Sequence, residues 1–496
     1  MELRIEVLYV ETTEGGQQTV NDNSLKYRDL RSSHPEFIYE GYSLSENEDS
    51  LEIAYHFNVP GLAEFFPSWS FSLISSREAS VERRRLEELV FSLGMVELIS
   101  YWKICCPPIV RVKARKLNAA QIEWWKKMYR KGLGEYFYVN GISAGDDFMD
   151  IVSSETAPAT DMSLVSPETA PATDTAKPIT DAEKVPKVLI PVGGGKDSVV
   201  TLELLREGAD RYGYVINPRQ AMTDALAVSG IDSEKIITAN RALDKNMLAL
   251  NAQGYLNGHT PFSAIVAFSS TLAGYVNGLD HVALSNESSA NETTIANSEV
   301  NHQYSKSYEF ETDFRRYERE YIGSGVEYFS LLRPLSELQI ARLFAKYDKY
   351  HSIFRSCNAA SKRDEWCGVC PKCLFVFIIL SPFLSGSELV SIFHKNIFED
   401  LSLKETLDEL VGFVPEKPFE CVGSRNEARA ALELTIIKYN ERNSALPPLL
   451  MYYSGNLKRD ATPFDPEEMF TSLNEDNAAP QRFLALVKAA VTGVAG

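Results

Sequence analysis

The chain has 496 residues, enough for two or three domains with cores of their own, and 44% of them are hydrophobic, as in a globular protein. Its formal net charge of -18 argues against a broad face for tRNA or DNA, so no nucleic-acid partner is expected, although the balance still allows a local basic patch. The longest strongly apolar run, Leu374 to Leu384, is broken by Ser381-Pro382 and too short for a bilayer, and Met1-Glu2-Leu3-Arg4 begins a strand-like alternation unlike a signal peptide, so a cytoplasmic protein without a membrane partner is expected.

Residues 1–150 read as an α+β domain. Leu51 to Val59 alternates as a half-buried strand does, and Phe37 to Leu44 is its expected partner. Glu82 to Trp102 carries Leu86, Leu89, Val90, Leu93, Val96 and Ile99 at helical spacing. A second helix is expected from Asn118 as N-cap, with Trp124, Trp125, Met128 and Tyr129 facing the core. Residues 151–186 then change composition: Glu-Thr-Ala-Pro-Ala-Thr-Asp occurs twice, from Glu155 and from Glu168, without an aromatic residue between about 152 and 186. Such a segment cannot bury enough surface to fold alone and reads as a flexible low-complexity linker.

From 187 to about 395 the pattern is α/β. Short strands at Val188–Val192, Tyr214–Ile216, Lys235–Thr238 and Val282–Leu284 alternate with helical stretches, the clearest starting after Thr260-Pro261 with Thr260 as the expected cap. After the first strand comes Gly193-Gly194-Gly195-Lys196-Asp197-Ser198, then a helix with Val199, Leu202 and Leu205 on one face. Glycines let backbone N–H groups turn toward an anion, and a helix N-terminus adds partial positive charge there. A Walker A loop would need glycine at Ile190 and Ser or Thr at Asp197, and a dinucleotide loop would need glycine or alanine at Ser198, so both fail. What remains resembles the PP-loop of the ATP pyrophosphatase superfamily, Ser-Gly-Gly-x-Asp-Ser, with Gly193 in place of the first serine. The alternative is a tight strand-to-helix turn without a ligand.

In a parallel sheet the loops after Val192 and Leu284 share the carboxyl edge, where ligands bind. The second, Ser285 to Glu292, offers Glu287 or Glu292 for magnesium or a substrate amine, unless it is simply a solvated loop. Downstream, His302, Tyr304 and Lys306 are candidate proton-transfer or anion-binding groups, and His259 is a further candidate. For either histidine a structural role is the alternative. Of seven cysteines, Cys357, Cys367, Cys370 and Cys373 form C-x9-C-x2-C-x2-C, with Gly368 and Pro371 easing the turns between them. Four thiolates at this spacing suit one structural zinc ion, an iron–sulfur cluster being the second reading and a redox pair or plain core cysteines the remaining ones. Cys105, Cys106 and Cys421 are expected to be buried and inert. Residues 396–496 read as mainly helical, Arg425 to Tyr439 best of all.

Taken together, the glycine loop, the Trp366-Cys367-Gly368-x-Cys370-Pro371-Lys372-Cys373 run and the extra N-terminal domain resemble the ATP-dependent UDP-N-acetyl-α-D-muramoyl-L-alanyl-L-glutamate epimerases, over about residues 35 to 460 apart from the linker. The order of loop and cysteines is also similar to 7-cyano-7-deazaguanine synthase. The epimerase resemblance implies a PP-loop (adenine nucleotide α hydrolase-like) parallel-sheet domain, with ATP and Mg2+ as cofactors and a UDP-muramoyl-dipeptide as small-molecule substrate. It implies that Gly193, Gly194, Gly195, Lys196, Asp197 and Ser198 hold the nucleotide. Lys196, Asp197, Glu287 and His302 are the expected catalytic set, and the carboxylate is adenylated, with loss of pyrophosphate, before its α-proton is moved. A nucleobase-modifying ligase, a tRNA sulfurtransferase and a non-catalytic ATP sensor are the competing functions.

Overall fold

The computed structural model describes residues 22–75, 81–153, 185–295, 298–456 and 466–493. Met1 to Arg4 and both copies of the linker repeat lie outside the described residues.

Among the described residues, eleven strands form one mixed sheet: β1 Glu36–Glu46, β2 Ser50–Val59, β3 Ala63–Phe65, β4 Ser68–Ser72, β5 Ile109–Val112, β6 Asp150–Ser153, β7 Lys187–Pro191, β8 Asp210–Ile216, β9 Ile236–Ala242, β10 His281–Leu284 and β11 Glu327–Ser330. Their order is β11-β10-β7-β8-β9-β4-β2-β1-β5-β6, with β3 paired to β2. Strands β7 to β11 are mutually parallel, β1, β2 and β4 form an antiparallel meander, and β5 and β6 extend it in parallel. The two halves join where β4 runs antiparallel to β9, from Ser68 opposite Ala242 to Phe71 opposite Ala239. The expected N-terminal and α/β segments thus share one sheet.

The period-2 alternation of each parallel strand feeds two cores, one on either face. Leu189, Tyr214, Val282 and Tyr328 enter the core shared with helices Arg83–Trp102, Ala119–Gly132 and Phe262–Val276. Val188, Ile190, Val215, Ala283 and Phe329 enter the other, with helices Lys196–Leu204, Glu337–Phe344, Pro371–Leu380 and Arg425–Glu441. Helix Ala119–Gly132 starts with a reciprocal capping box between Asn118 and Gln121. Thr260 does not cap the helix at Phe262. Its hydroxyl instead accepts from Lys103 Nζ at 2.7 Å, because a buried ammonium needs every acceptor within reach. The C-terminal region is helical as expected, and no described helix is long and apolar enough to cross a membrane.

A buried ion pair pins the seam. Arg241 on β9 donates from Nη2 and Nε to the Glu97 carboxylate at 2.8 and 2.9 Å, and Trp69 on β4 donates to the same carboxylate at 3.3 Å. Glu97 is fully buried on helix Arg83–Trp102, so removing it strands a buried guanidinium. Glu97→Ala should therefore cost about 3–5 kcal/mol in urea unfolding. A change below about 1 kcal/mol would show that the pair does not hold the seam.

Candidate functional site

The chain runs β7, β8, β9 outward in one direction and then returns to place β10 and β11 on the opposite side of β7. The crevice between the carboxyl ends of β7 and β10 is therefore the point where the winding reverses, the usual position of a ligand site in such sheets. The glycine loop opens onto it. Gly195 is the N-cap of helix Lys196–Leu204, and Gly194 has φ +84, a conformation that strains any side chain; a Cβ there would also stand 3.1 Å from Ala221 Cβ. All three glycine carbonyls are engaged by the protein: Gly193 by Arg219 Nη2 at 3.4 Å, Gly194 by Arg355 N at 2.8 Å, and Gly195 by Ser198 Oγ at 2.9 Å. Ser198 thus closes the loop on itself. Ser356 packs behind Gly195, and its buried hydroxyl has no protein partner.

Three carboxylates converge beside the loop, each from the segment after a neighbouring parallel strand: Asp197 after β7, Glu287 after β10 and Glu337 after β11. One oxygen from each lies within 4.8 Å of the others. Lys196 Nζ donates to Asp197 Oδ1 at 2.5 Å and also to Glu337 Oε2. Lys196, Glu287 and Glu337 are buried, so the Lys196 ammonium faces carboxylates of the protein itself. Burial, with Asp197 and Glu287 adding to it, pushes the Glu337 carboxyl up to about 8 against the pull of Lys196. Burial also acts to raise Asp197, but Lys196 and Lys372 outweigh it and hold it below its ordinary value. Three carboxyl groups with an oxygen each within 4.8 Å of the others form an all-oxygen donor set, suited to a hard divalent cation once Glu337 gives up its proton. Glu292 belongs elsewhere, with Lys417 Nζ at 2.6 Å.

A second polar cluster adjoins the first. Glu135, on the short helix Gly134–Val139, receives His302 Nδ1 and, at 3.1 Å, His259 Nδ1. On the far side of the ring, His302 Nε2 is 3.8 Å from Cys421 Sγ. Burial disfavours a charged His302, yet the Glu135 carboxylate and Cys421 raise it to about 10. Burial and the neighbouring His302 drive His259 down to about 3. Burial works to raise the Cys421 thiol, but Lys306 and His302 bring it down to about 6. Lys306 is itself drawn upward, against burial, by Cys421, Glu287 and Asp197, and so lies between the two clusters. Tyr304 is buried under Lys131. Cys105 and Cys106 are buried in the core as expected, whereas Cys421 is only partly buried and belongs to this cluster.

The cysteine cluster braces both. Cys357 and Cys370 sulfurs are 3.8 Å apart, and those of Cys367 and Cys373 are 3.7 Å apart. A tetrahedral ion about 2.3 Å from each sulfur requires about 3.8 Å between sulfurs, so the four residues fit one ion. The N–H groups of Ala360, Gly368 and Cys370 point at three of the sulfurs at 3.3–3.4 Å, as thiolate acceptors require. Gly368 turns this knuckle at φ +70. From it, Arg355 reaches the glycine loop, Asn358 donates to Glu420 at 3.2 Å, and Lys372 donates to the Cys421 carbonyl. The sequence reading had missed Glu135, Arg333, Glu337 and the setting of Cys421. For Glu337 a signal existed, since Ser336 and Gln339 form a capping box that marks a helix start after β11.

Two family models match: the MurL N-terminal domain over residues 29–331 and the MurL C-terminal domain over 353–451. A protein of Xanthomonas oryzae pv. oryzae is 36% identical over 349 residues, covering 68% of this chain and 72% of its own length. One of Salinispora tropica is 33% identical over 407 residues, covering 80% and 84%. One of Micromonospora is 36% identical over 349 residues, covering 69% and 73%. Each carries the name UDP-N-acetyl-alpha-D-muramoyl-L-alanyl-L-glutamate epimerase. No solved structure matches the chain.

If the cysteines hold an ion that braces the site, elemental analysis will find one equivalent of metal in protein purified without added metal. Cys367→Ser should lose it and lower Tm by more than about 2 °C, the shift expected of about 2 kcal/mol at this size. A metal-free wild type with unchanged Tm would refute the brace.

Proposed function

The chain belongs to the MurL family, and from that premise we propose that it inverts the terminal L-glutamate of UDP-N-acetylmuramoyl-L-alanyl-L-glutamate to D-glutamate for peptidoglycan precursor synthesis, adenylating the substrate carboxylate with ATP and releasing pyrophosphate and AMP. The observation that carries the ATP step is the convergence of a glycine loop, a helix N-terminus and three carboxylates at the crevice between β7 and β10. Anion and cation sites side by side are what a nucleotide with a bound divalent ion requires.

In this reading the PP-loop, residues 193–198, holds the pyrophosphate end of ATP. Asp197, Glu287 and Glu337 would hold Mg2+, which when bound would neutralise charge on a pyrophosphate leaving group. Lys196 lies between Asp197 and Glu337, holding the Asp197 carboxyl down and opposing the burial that raises Glu337, so its contribution runs through them. The cysteine cluster holds zinc, since sulfurs less than 4 Å apart suit a single ion, whereas the cysteines of an iron–sulfur cluster bind several irons.

The chemistry explains the need for ATP. An α-proton beside a carboxylate is very weakly acidic, because its removal places a second negative charge next to the first. Adenylation removes the first charge and makes the proton accessible to a side-chain base; return of a proton from the opposite face gives the D-residue, and hydrolysis of the acyl-adenylate releases AMP. The match to both MurL domains favours this reading over a nucleobase ligase or a tRNA sulfurtransferase.

Incubation with UDP-N-acetylmuramoyl-L-alanyl-L-glutamate, ATP and Mg2+ in deuterated water, followed by chiral analysis, should yield D-glutamate carrying α-deuterium only when ATP is present. Glutamate that remains L and unlabelled would overturn the reading. Asp197→Asn should cut substrate-dependent pyrophosphate release by at least about 100-fold, since it removes a charge from the cation site. Near-wild-type release would take the loop out of the mechanism.

A further inference from the structure

Inversion at Cα needs a group that takes or gives a proton there, and the side chains lining the crevice differ sharply in fitness for it. Glu287 is committed to the carboxylate cluster, and Lys306 carries a proton held firmly by three anionic neighbours. His259 and His302 share Glu135. Cys421 remains: it lies outside both the apolar core and the four-cysteine cluster, is partly exposed, and has His302 Nε2 3.8 Å from its sulfur.

Its setting faces the nucleotide side. The next residue, Val422, accepts from Gln303 Nε2 at 3.0 Å, and Gln303 Oε1 is buried beside it without a protein partner, a free acceptor for a ligand N–H. A few residues on, Glu427 Oε1 receives the N–H of Glu337 at 2.7 Å, which fixes this segment against the carboxylate cluster. Lys306 bridges the remaining gap, in contact with Cys421 on one side and under the charge of Glu287 and Asp197 on the other. We propose that Cys421 is a catalytic residue that exchanges a proton with the glutamyl Cα, with His302, oriented by Glu135, as the positioning residue that receives and returns the proton of the sulfur. The inference rests on the epimerase reading.

The step balances without a further reagent. The Cys421 thiolate forms an S–H bond with the α-proton of the acyl-adenylate, and the C–H electron pair moves into the Cα–C bond to give the enolate form, with the Lys306 ammonium near the developing charge. A water-equilibrated acid on the opposite face supplies the new α-proton. The His302 imidazolium, which carries both ring protons, first releases its Nε2 proton to water and then takes the S–H proton, restoring the thiolate beside the imidazolium. With the opposite substrate as starting point the same bonds form and break in reverse.

Cys421→Ser should lower epimerisation by at least about 100-fold, the range of a lost acid–base group, while ATP–pyrophosphate exchange with the dipeptide substrate stays within about threefold of wild type. Epimerisation within threefold of wild type would overturn the proposal. So would a parallel loss of both reactions, because the sulfur acts only after adenylation. Absence of substrate-dependent pyrophosphate exchange in the wild type would instead refute the epimerase reading. Alkylation of the wild-type protein, read by peptide mapping, tests the site independently of how the variant folds. Iodoacetamide at neutral pH should modify Cys421 at least about tenfold faster than Cys105 or Cys106, ATP with the dipeptide substrate should protect it, and His302→Gln should slow its modification. A Cys421 that reacts no faster than the core cysteines overturns the proposal.

Discussion

Arg333 holds the site together from beneath. Its side chain is fully buried just beyond β11, and its donors end on three different segments: the Glu287 carbonyl at 2.5 Å, the Lys306 carbonyl, and Glu311 Oε2 at 3.2 Å. Glu311 in turn accepts the Ser330 N–H at 2.9 Å, so the same pair ties helix Tyr308–Tyr317 to the end of β11. Only a planar guanidinium, with five donors in fixed directions, can serve two carbonyls and a carboxylate at once. Its burial costs several kcal/mol unless the Glu311 charge and the carbonyls offset it, and each offset fixes a loop. Glu287 and Lys306, which bear opposite charges in the crevice, therefore have their backbone positions set by one cation that touches no ligand.

The cysteine knuckle does from one side what Arg333 does from below. It reaches the glycine loop through Arg355 and the Cys421 segment through Asn358 and Lys372. Its four sulfurs stand in the spacing of one tetrahedral ion, so closing the knuckle fixes the glycine loop and the Cys421 segment in one act. A metal ion held there would position two groups that chain connectivity alone leaves independent, since the glycine loop and Cys421 are more than 200 residues apart.

Sequence carried the parts of this site that are local and missed those that are not. The turn of the glycine loop is legible because it resides in consecutive backbone positions, and the four-cysteine cluster because its spacing is itself the signal. Glu287 was legible only as one acid in a polar loop; its selection over Glu292 depends on Arg333 below and on Lys417 drawing Glu292 away. Thr260 was misread as a helix cap because nothing in its own segment reveals the buried Lys103 that competes for its hydroxyl. Cys421 reads as inert in sequence because a single cysteine has no pattern, and its partners come from residues 302, 306 and 372. The continuous sheet was likewise hidden, since the pairing of β4 with β9 spans the low-complexity segment and leaves no periodic trace.

The two polar clusters divide the chemistry by charge. Around the glycine loop the protein concentrates carboxylates, which suit a cation and a departing anion; around His302 it concentrates cations beside a thiol, which suit a proton removed from carbon. Merged, they would defeat one another, because carboxylates next to the sulfur would drive it to its protonated, unreactive form. Lys306 separates them while feeling both, held positive by Asp197 and Glu287 on one side and by Cys421 on the other. A substrate carboxylate bound between the clusters would thus lose its charge on the side of the loop and its α-proton on the side of the sulfur. That order follows from the layout, since the thiolate gains an acidic enough proton only after the first half has acted.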